Sequence, residues 1–247
     1  MSTPIHPSAQ IGSQTQIGFH TVIGPNVKIG SHCQIGHHVV IHPDTIVGDH
    51  VRIDDHAVLG KTPMRTASVA TPQSQIQTPL QIGNETLIGT GAVLYRGAQI
   101  GDKCLIADYA SVREDSTIGH ATIIGRSAIV ENRVTIGNKC KIETGAFVPA
   151  FSEIGHGCFI APAVTFTNDN FMGRTEERKK HYKGITIHDG GRVGANATLL
   201  PGIIIEADGV AAAGAVVTHH IPTRQIVAGV PAKLLRPVPE NQWLENQ

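Results

Sequence analysis

The feature that most limits what this chain can become is a repeat of six residues. Large aliphatic side chains stand at Ile5, Ile11, Ile17, Ile23, Ile29, Ile35, Ile41, Val47, Ile53 and Leu59. The register resumes at Ile82, Ile88, Leu94 and Ile100 and continues to Phe166, then returns from Ile187 through Leu199 and Ala211 to Val217. Four residues after most of these positions sits something small, as at Ala9, Thr15, Ala92, Ala98, Ala110 and Ser116, and directly after many comes Gly. Neither the helical period nor simple alternation produces such a pattern. Short strands joined by tight corners do. Three hexads close one triangular coil, and coils stack as parallel strands about 4.8 Å apart. The expected fold is therefore all-β: a parallel β-helix of about ten coils.

Composition enters as a check on that reading. The chain holds 29 Ile but only 10 Leu, and aromatics make up 4 %, which suits β-branched strands and not a Leu-rich helical bundle. Twenty Lys plus Arg balance twenty Asp plus Glu, so no basic excess exists to displace counterions from nucleic acid. No apolar run approaches the roughly 20 residues that span a bilayer. The opening Met1-Ser2-Thr3-Pro4-Ile5-His6 lacks the basic-then-apolar order of an export signal, so a cytoplasmic location is expected, with neither nucleic acid nor membrane as partner. Cys33, Cys104, Cys140 and Cys158 all occupy the small interior slot, where a free thiol behaves as a small buried hydrophobe. That disfavours disulfides and metal ligation.

Two segments leave the repeat. One spans 60–81 and is rich in Thr, Pro, Gln and Ser; the other spans 167–184 and carries the charged run Glu176-Glu177-Arg178-Lys179-Lys180-His181. Long loops in a compact repeat are usually functional. The β-helix domain is read as 1–236 with these two insertions, followed by a capping tail at 237–247 that includes a short helix. If each insertion replaces one corner, both depart from the corner after the strand series Ile5, Ile23, Ile41, Leu59, Leu94, Val112, Val130, Val148 and Phe166. Between the insertions that corner reads Tyr95-Arg96, Arg113-Glu114, Glu131-Asn132 and Pro149-Ala150, with no Gly. The next corner round reads Gly83-Asn84, Gly101-Asp102, Gly119-His120, Gly137-Asn138 and Gly155-His156, which is ordinary turn chemistry. A rule kept on one edge and abandoned on its neighbour marks the expected functional groove.

The same contrast sorts the histidines. His120 and His156 fill regular turn slots. His20, His38 and His56 recur every 18 residues, a ladder whose imidazoles run parallel about 4.8 Å apart and do not converge on one zinc at about 2.0–2.1 Å. No metal is expected. His181 lies in the charged loop. Candidate catalytic groups are the carboxylates of Asp108 and Glu114, whose plainer readings are a pair with Arg126 and a corner ion pair with Arg96 or Arg113. Tyr95, Arg96, Glu131, Asn132, Asn168 and Asp169 are candidates for substrate contacts on or beside the groove. Arg174 and Lys183 in the second loop add candidate cations near the groove.

The repeat resembles the hexapeptide-repeat acyltransferases, which implies a left-handed β-helix working as a homotrimer. Gly229-Val230-Pro231-Ala232-Lys233 is similar to the closing signature of the acyl-CoA-dependent members. The stretch Ala107-Asp108-Tyr109-Ala110-Ser111-Val112-Arg113-Glu114 and the loop opening Thr167-Asn168-Asp169-Asn170 resemble the branch that N-acylates nucleotide-linked amino sugars, such as the N-acyltransferases of dTDP-4-amino-4,6-dideoxyglucose. The resemblance implies acetyl-CoA or another acyl-CoA as co-substrate, lying between neighbouring prisms toward the C-terminal coils. There Arg192, Lys233 and Arg236 would meet its phosphates, while Ala212 and Gly214 would permit close approach of its pantetheine arm. A His-driven mechanism lacks its His at the irregular corner. A sugar amine titrates nearer 8 than the Lys value of about 10.4, so a carboxylate suffices to accept its proton, whereas an alcohol wants a stronger base. The expected function is acyl-CoA-dependent N-acylation of a dTDP- or UDP-linked amino deoxysugar. The rival readings are O-acetylation of a sugar or antibiotic hydroxyl with His181 as base, and a non-catalytic or carbonic anhydrase-like β-helix protein.

Overall fold

The computed structural model describes residues 4–64 and 78–247. Its strands are almost all two residues long and stack into three parallel sheets of 10, 12 and 10 strands. Sheet 1 begins with Gln10–Ile11, sheet 2 with Gln16–Ile17 and sheet 3 with Val22–Ile23. Each strand pairs with the one three hexads later, as in Ile11 with Ile29, Ile17 with Ile35 and Ile23 with Ile41. The chain is thus the expected solenoid of triangular coils. We name its ridges by the sheets they join: 1/2, 2/3 and 3/1.

Both excursions leave ridge 3/1 and return to sheet 1 without disturbing the ladder. Leu59 is in sheet 3 and Ile82 pairs with Val47 and Ile100 in sheet 1; Phe166 is in sheet 3 and Ile187 pairs with Ile154. Each insertion therefore replaces a corner and no strand. The first starts later than its composition suggests, because a four-residue strand, Val58–Lys61, carries sheet 3 past the corner. It ends earlier as well, since Leu80 is fully buried in the interior slot. The centre of this insertion, 65–77, lies outside the described residues.

The interior consists of the repeat's aliphatic positions and its small slots, with Phe166 the largest fully buried side chain. The buried hydroxyls of the repeat find backbone partners, as burial demands. Thr21 Oγ1 donates to the Gly36 carbonyl at 2.8 Å and Thr122 Oγ1 to that of Gly137 at 2.8 Å. The four free, buried cysteines repeat the device, with Cys104 Sγ 3.1 Å from the Gly119 carbonyl and Cys140 Sγ 3.0 Å from that of Gly155. Burial pushes the Cys33 and Cys104 thiols up, away from the reactive thiolate.

Past the last coil, Lys233–Pro237 turns back antiparallel on Gln225–Ala228 and covers the end of sheet 2, as an open solenoid edge requires. The expected short helix takes the form of two 3-10 turns, Glu240–Gln242 and Leu244–Asn246. Instead of lying across the final coil, this segment runs back along the flank. The Leu244 N–H donates to Asp208 Oδ1 at 2.8 Å, and the Leu244 side chain fills the space above Gly157 and Gly190. Arg224 stacks on Trp243 at 3.6 Å.

Candidate functional site

Ridge 1/2 shows what a corner does when it has only structure to serve. Each polar turn residue accepts the backbone N–H of the coil before: Asn84 from Asp49 at 2.8 Å, Asp102 from Asn84 at 2.7 Å and Asn138 from His120 at 2.8 Å. His120 and His156 serve in the same way, their Nδ1 accepting from Asp102 at 3.1 Å and Asn138 at 2.9 Å. From Gly83 to Gly155 the Gly is compulsory, because a Cβ on Gly83 would stand 2.6 Å from the Asp102 nitrogen and one on Gly119 2.7 Å from that of Asn138.

Ridge 3/1 is built differently. Arg113 holds Glu114 through two hydrogen bonds, Nε to Oε2 at 3.0 Å and Nη2 to Oε1 at 2.8 Å, and reaches the next coil to meet Glu131 Oε2 at 2.9 Å. Burial pushes Arg113 down, but the bonds and charges of the two carboxylates outweigh it and hold the guanidinium above its ordinary value. Glu114 is 1 % exposed, whereas the Glu131 side chain keeps 26 %. Asn132, at 2 %, lies beneath the ridge surface, one coil on from Glu114. Tyr95 is buried and faces two cations, Arg113 at 5.6 Å and Lys61 at 5.3 Å from its ring centre. Arg96 turns away from this group, with Nη1 on the Pro43 carbonyl at 2.8 Å and Nη2 on Asp44 at 3.2 Å. His42, one coil before Lys61, is pushed below its ordinary pKa by burial and by the charges of Lys61 and Arg96.

Asp108 is not part of this cluster. It stands on ridge 2/3, where its Oδ1 accepts the Thr90 N–H at 2.9 Å, the service that Asp55 gives His37 two coils earlier at 2.6 Å. The pairing of Asp108 with Glu114 is therefore not formed: they sit on different ridges, and Asp108 meets a backbone amide where Arg126 was the alternative.

The second loop closes at its neck, where the Lys183 N–H donates to the Asn168 carbonyl at 3.2 Å, and the Lys183 stem lies over Gly202 on the same ridge. Asp169 is the loop's internal anchor, accepting the N–H groups of Phe171 at 2.8 Å and Gly173 at 3.0 Å and pairing with Arg178 at 3.2 Å. Against the upward push of desolvation, these bonds hold Asp169 below the usual carboxylate range. Arg178 also bonds the Tyr182 hydroxyl. Arg174 is exposed in this loop. His181 stacks on Phe171 at 5.6 Å and meets Glu177 Oε1 at 3.2 Å.

The candidates for the acyl donor gather elsewhere. Arg192 is in sheet 2, Lys233 and Arg236 are in the strand that ends that sheet, and Ala212 and Gly214 lie on ridge 2/3. A Cβ on Gly214 would meet nothing within 4 Å, so that corner is open. Arg192 Nη1 reaches Gln242 Oε1 at 3.1 Å, while its Nε and Nη2 are buried without a hydrogen-bond partner. In a three-sided prism, sheet 2 is the face opposite ridge 3/1.

Sequence reasoning missed Lys61, which it assigned to an insertion. Its signal was available: Lys61 follows Leu59-Gly60 as Arg96 and Glu114 follow their aliphatic residues two places on. The histidine ladder is present, with ring centres of His20 and His38 5.0 Å apart and of His38 and His56 5.1 Å. A second ladder stacks His32 on His50 at 4.8 Å. Among the described residues no group of His, Cys, Asp and Glu is arranged to hold a metal ion, and no helix is long and apolar enough to cross a membrane.

Two family models match this architecture. The bacterial transferase hexapeptide model, of six repeats, matches residues 8–43 and 26–61. The hexapeptide repeat of succinyl-transferase matches 79–107, 116–150 and 184–219, and together they span more than half of the chain. The chain belongs to the hexapeptide-repeat transferases. Its solenoid is accordingly a left-handed β-helix. Among curated proteins, this hexapeptide-repeat chain is 40 % identical over 58 residues to 2,3,4,5-tetrahydropyridine-2,6-dicarboxylate N-acetyltransferases of Staphylococcus aureus. The match spans 24 % of this chain and 24 % of those relatives. Similar solved structures include PerB from Caulobacter crescentus in complex with CoA and GDP-perosamine, 25 % identical with a TM-score of 0.45 over 51 % of this chain and 54 % of that one. LpxA from Acinetobacter baumannii is 20 % identical with a TM-score of 0.48 over 94 % of this chain and 70 % of that one.

Proposed function

We propose that this hexapeptide-repeat chain is an acyl-CoA-dependent N-acyltransferase whose acceptor is the amino group of a dTDP- or UDP-linked amino deoxysugar. The observation that carries the reading is the Arg113–Glu114–Glu131 cluster on the ridge from which both excursions depart. Two carboxylates gathered on one guanidinium suit the capture of an amine and the acceptance of its proton. The corners of ridge 3/1 from Tyr95-Arg96 to Pro149-Ala150 contain no histidine, and an amine, partly neutral near pH 8, does without one. The curated relatives, matched over a short segment, are named as N-acetyltransferases, which also favours nitrogen as the acceptor.

Charge along the ridge suits a nucleotide sugar. Toward the N-terminus stands Lys61, which has no carboxylate partner among the described residues; Arg174 and Lys183 add cations from the loop side. These would meet the diphosphate, leaving the sugar amine at the carboxylates, with Asn168 beside it. The acyl-CoA candidates Arg192, Ala212, Gly214, Lys233 and Arg236 lie across the prism from this ridge. One chain alone cannot bring the two halves together, which supports a homotrimer in which one prism's sheet 2 side faces its neighbour's ridge 3/1.

The test is a panel of dTDP- and UDP-amino sugars against several acyl-CoAs, read by product mass and thiol release. An amide on the sugar nitrogen is expected. Ester products, or CoA that neither binds nor turns over, would overturn the reading.

A further inference from the structure

We infer that Glu131 is the carboxylate that meets the acceptor amine and takes its proton, while the buried Glu114 acts on it through Arg113. This assignment rests on the N-acyltransferase reading above. Three observations lead to it. Glu114 is enclosed, and both of its oxygens are held by Arg113. Glu131 is the more accessible of the two carboxylates, and Arg113 binds only its Oε2, at 2.9 Å. Its Oε1 forms no hydrogen bond among the described residues. Of the two carboxylates that share Arg113, Glu131 is the one a ligand can reach.

The division of labour follows from chemistry. A base must come within hydrogen-bond reach of the proton it removes, and an enclosed carboxylate, 1 % exposed, is out of a ligand's reach. Glu114 instead fixes the plane of Arg113, and Arg113 fixes Glu131 Oε2, leaving Oε1 aimed by a rigid fork. In the reaction, the amine lone pair forms a C–N bond to the thioester carbonyl carbon. The nitrogen, now cationic, is a far stronger acid than a free ammonium group, so a carboxylate is base enough. Its proton passes to Glu131 Oε1. The tetrahedral adduct then collapses, the C–S bond breaks, and the sulfur leaves with the electron pair and takes a proton back from Glu131. Amide and free CoA thiol result, and Glu131 is restored.

Comparing Glu131→Gln, Glu131→Asp and Glu114→Gln in the full-length chain tests this, with kcat/KM followed across pH 6–9 alongside the melting temperature. Glu131→Gln is expected to lower kcat/KM by about 100-fold or more at unchanged melting temperature, with a pH profile that climbs more steeply as only the neutral amine reacts unaided. Glu131→Asp should recover part of the loss. Glu114→Gln should lower both activity and melting temperature, because it acts by positioning. Wild-type-like kcat/KM and an unchanged pH profile for Glu131→Gln would overturn the assignment while leaving the N-acyltransferase reading intact. A wild-type chain inactive on every amino sugar would overturn that reading, and this assignment with it.

Discussion

Two neighbouring ridges of one prism are built to opposite rules. On ridge 1/2, Gly lets each turn settle on the next and a single file of Asn, Asp and His side chains satisfies the backbone below. On ridge 3/1, the same positions carry Tyr95, Arg113 and Glu131, which bond one another across coils. The sheets on either side are equally regular, so the solenoid does not need its corners to be alike. The repeat sets the spacing, and a corner freed from turn duty becomes a place where side chains can be arrayed at coil intervals.

That contrast can be broken most severely at Arg113. Arg113→Ala leaves Glu114 enclosed without its counter-ion, and breaking a buried pair costs about 3–5 kcal/mol; chemical denaturation should show the loss, together with collapse of transferase activity. Gly119→Val addresses the opposite ridge. It drives a side chain into the Asn138 turn at an overpacking cost of about 1–3 kcal/mol, and should lower the denaturation midpoint while kcat/KM stays within twofold of wild type. Lys61→Ala removes a cation, and from the fold only a half-buried side chain's contact with the Tyr95 ring. KM for the nucleotide sugar should rise about tenfold, equivalent to about 1.4 kcal/mol, with no change in melting temperature. The smallest effect belongs to His42, whose folded pKa is lowered by burial, Lys61 and Arg96. The unfolded chain then takes up the proton more readily than the folded one, so stability is complete above about pH 6.5 and declines as the pH falls below it. Denaturation midpoints measured from pH 7.5 to 5 should fall less for His42→Gln than for wild type.

Much of this architecture was legible because a hexad repeat fixes the inside, the corner and the register at once. Val47 with Ile82, and Ile154 with Ile187, confirm that even the interruptions could be placed. The site was less legible, since a slot on a ridge does not say which neighbour a long side chain will reach. Arg96 extends back to Asp44 across the whole first excursion, and Arg113 serves two carboxylates at once. Asp108 lies only six residues before Glu114, but six residues along a solenoid is one third of a turn and a different edge. Lys61 was hidden because a strand ran past its expected end. The C-terminal segment has no repeat to read, and its course along the flank depends on contacts such as Leu244 with Asp208 that no periodicity announces.

The excursions bring one more consequence. Because Ile82 and Ile187 rejoin sheet 1 in register, the number of residues spent outside the prism is invisible to every rung that follows. Segments of other lengths and compositions could be spliced in after Lys61 or Thr167 while the carboxylates kept their places. In such a molecule, the acceptor it selects and the scaffold that holds it upright can drift independently over evolutionary time.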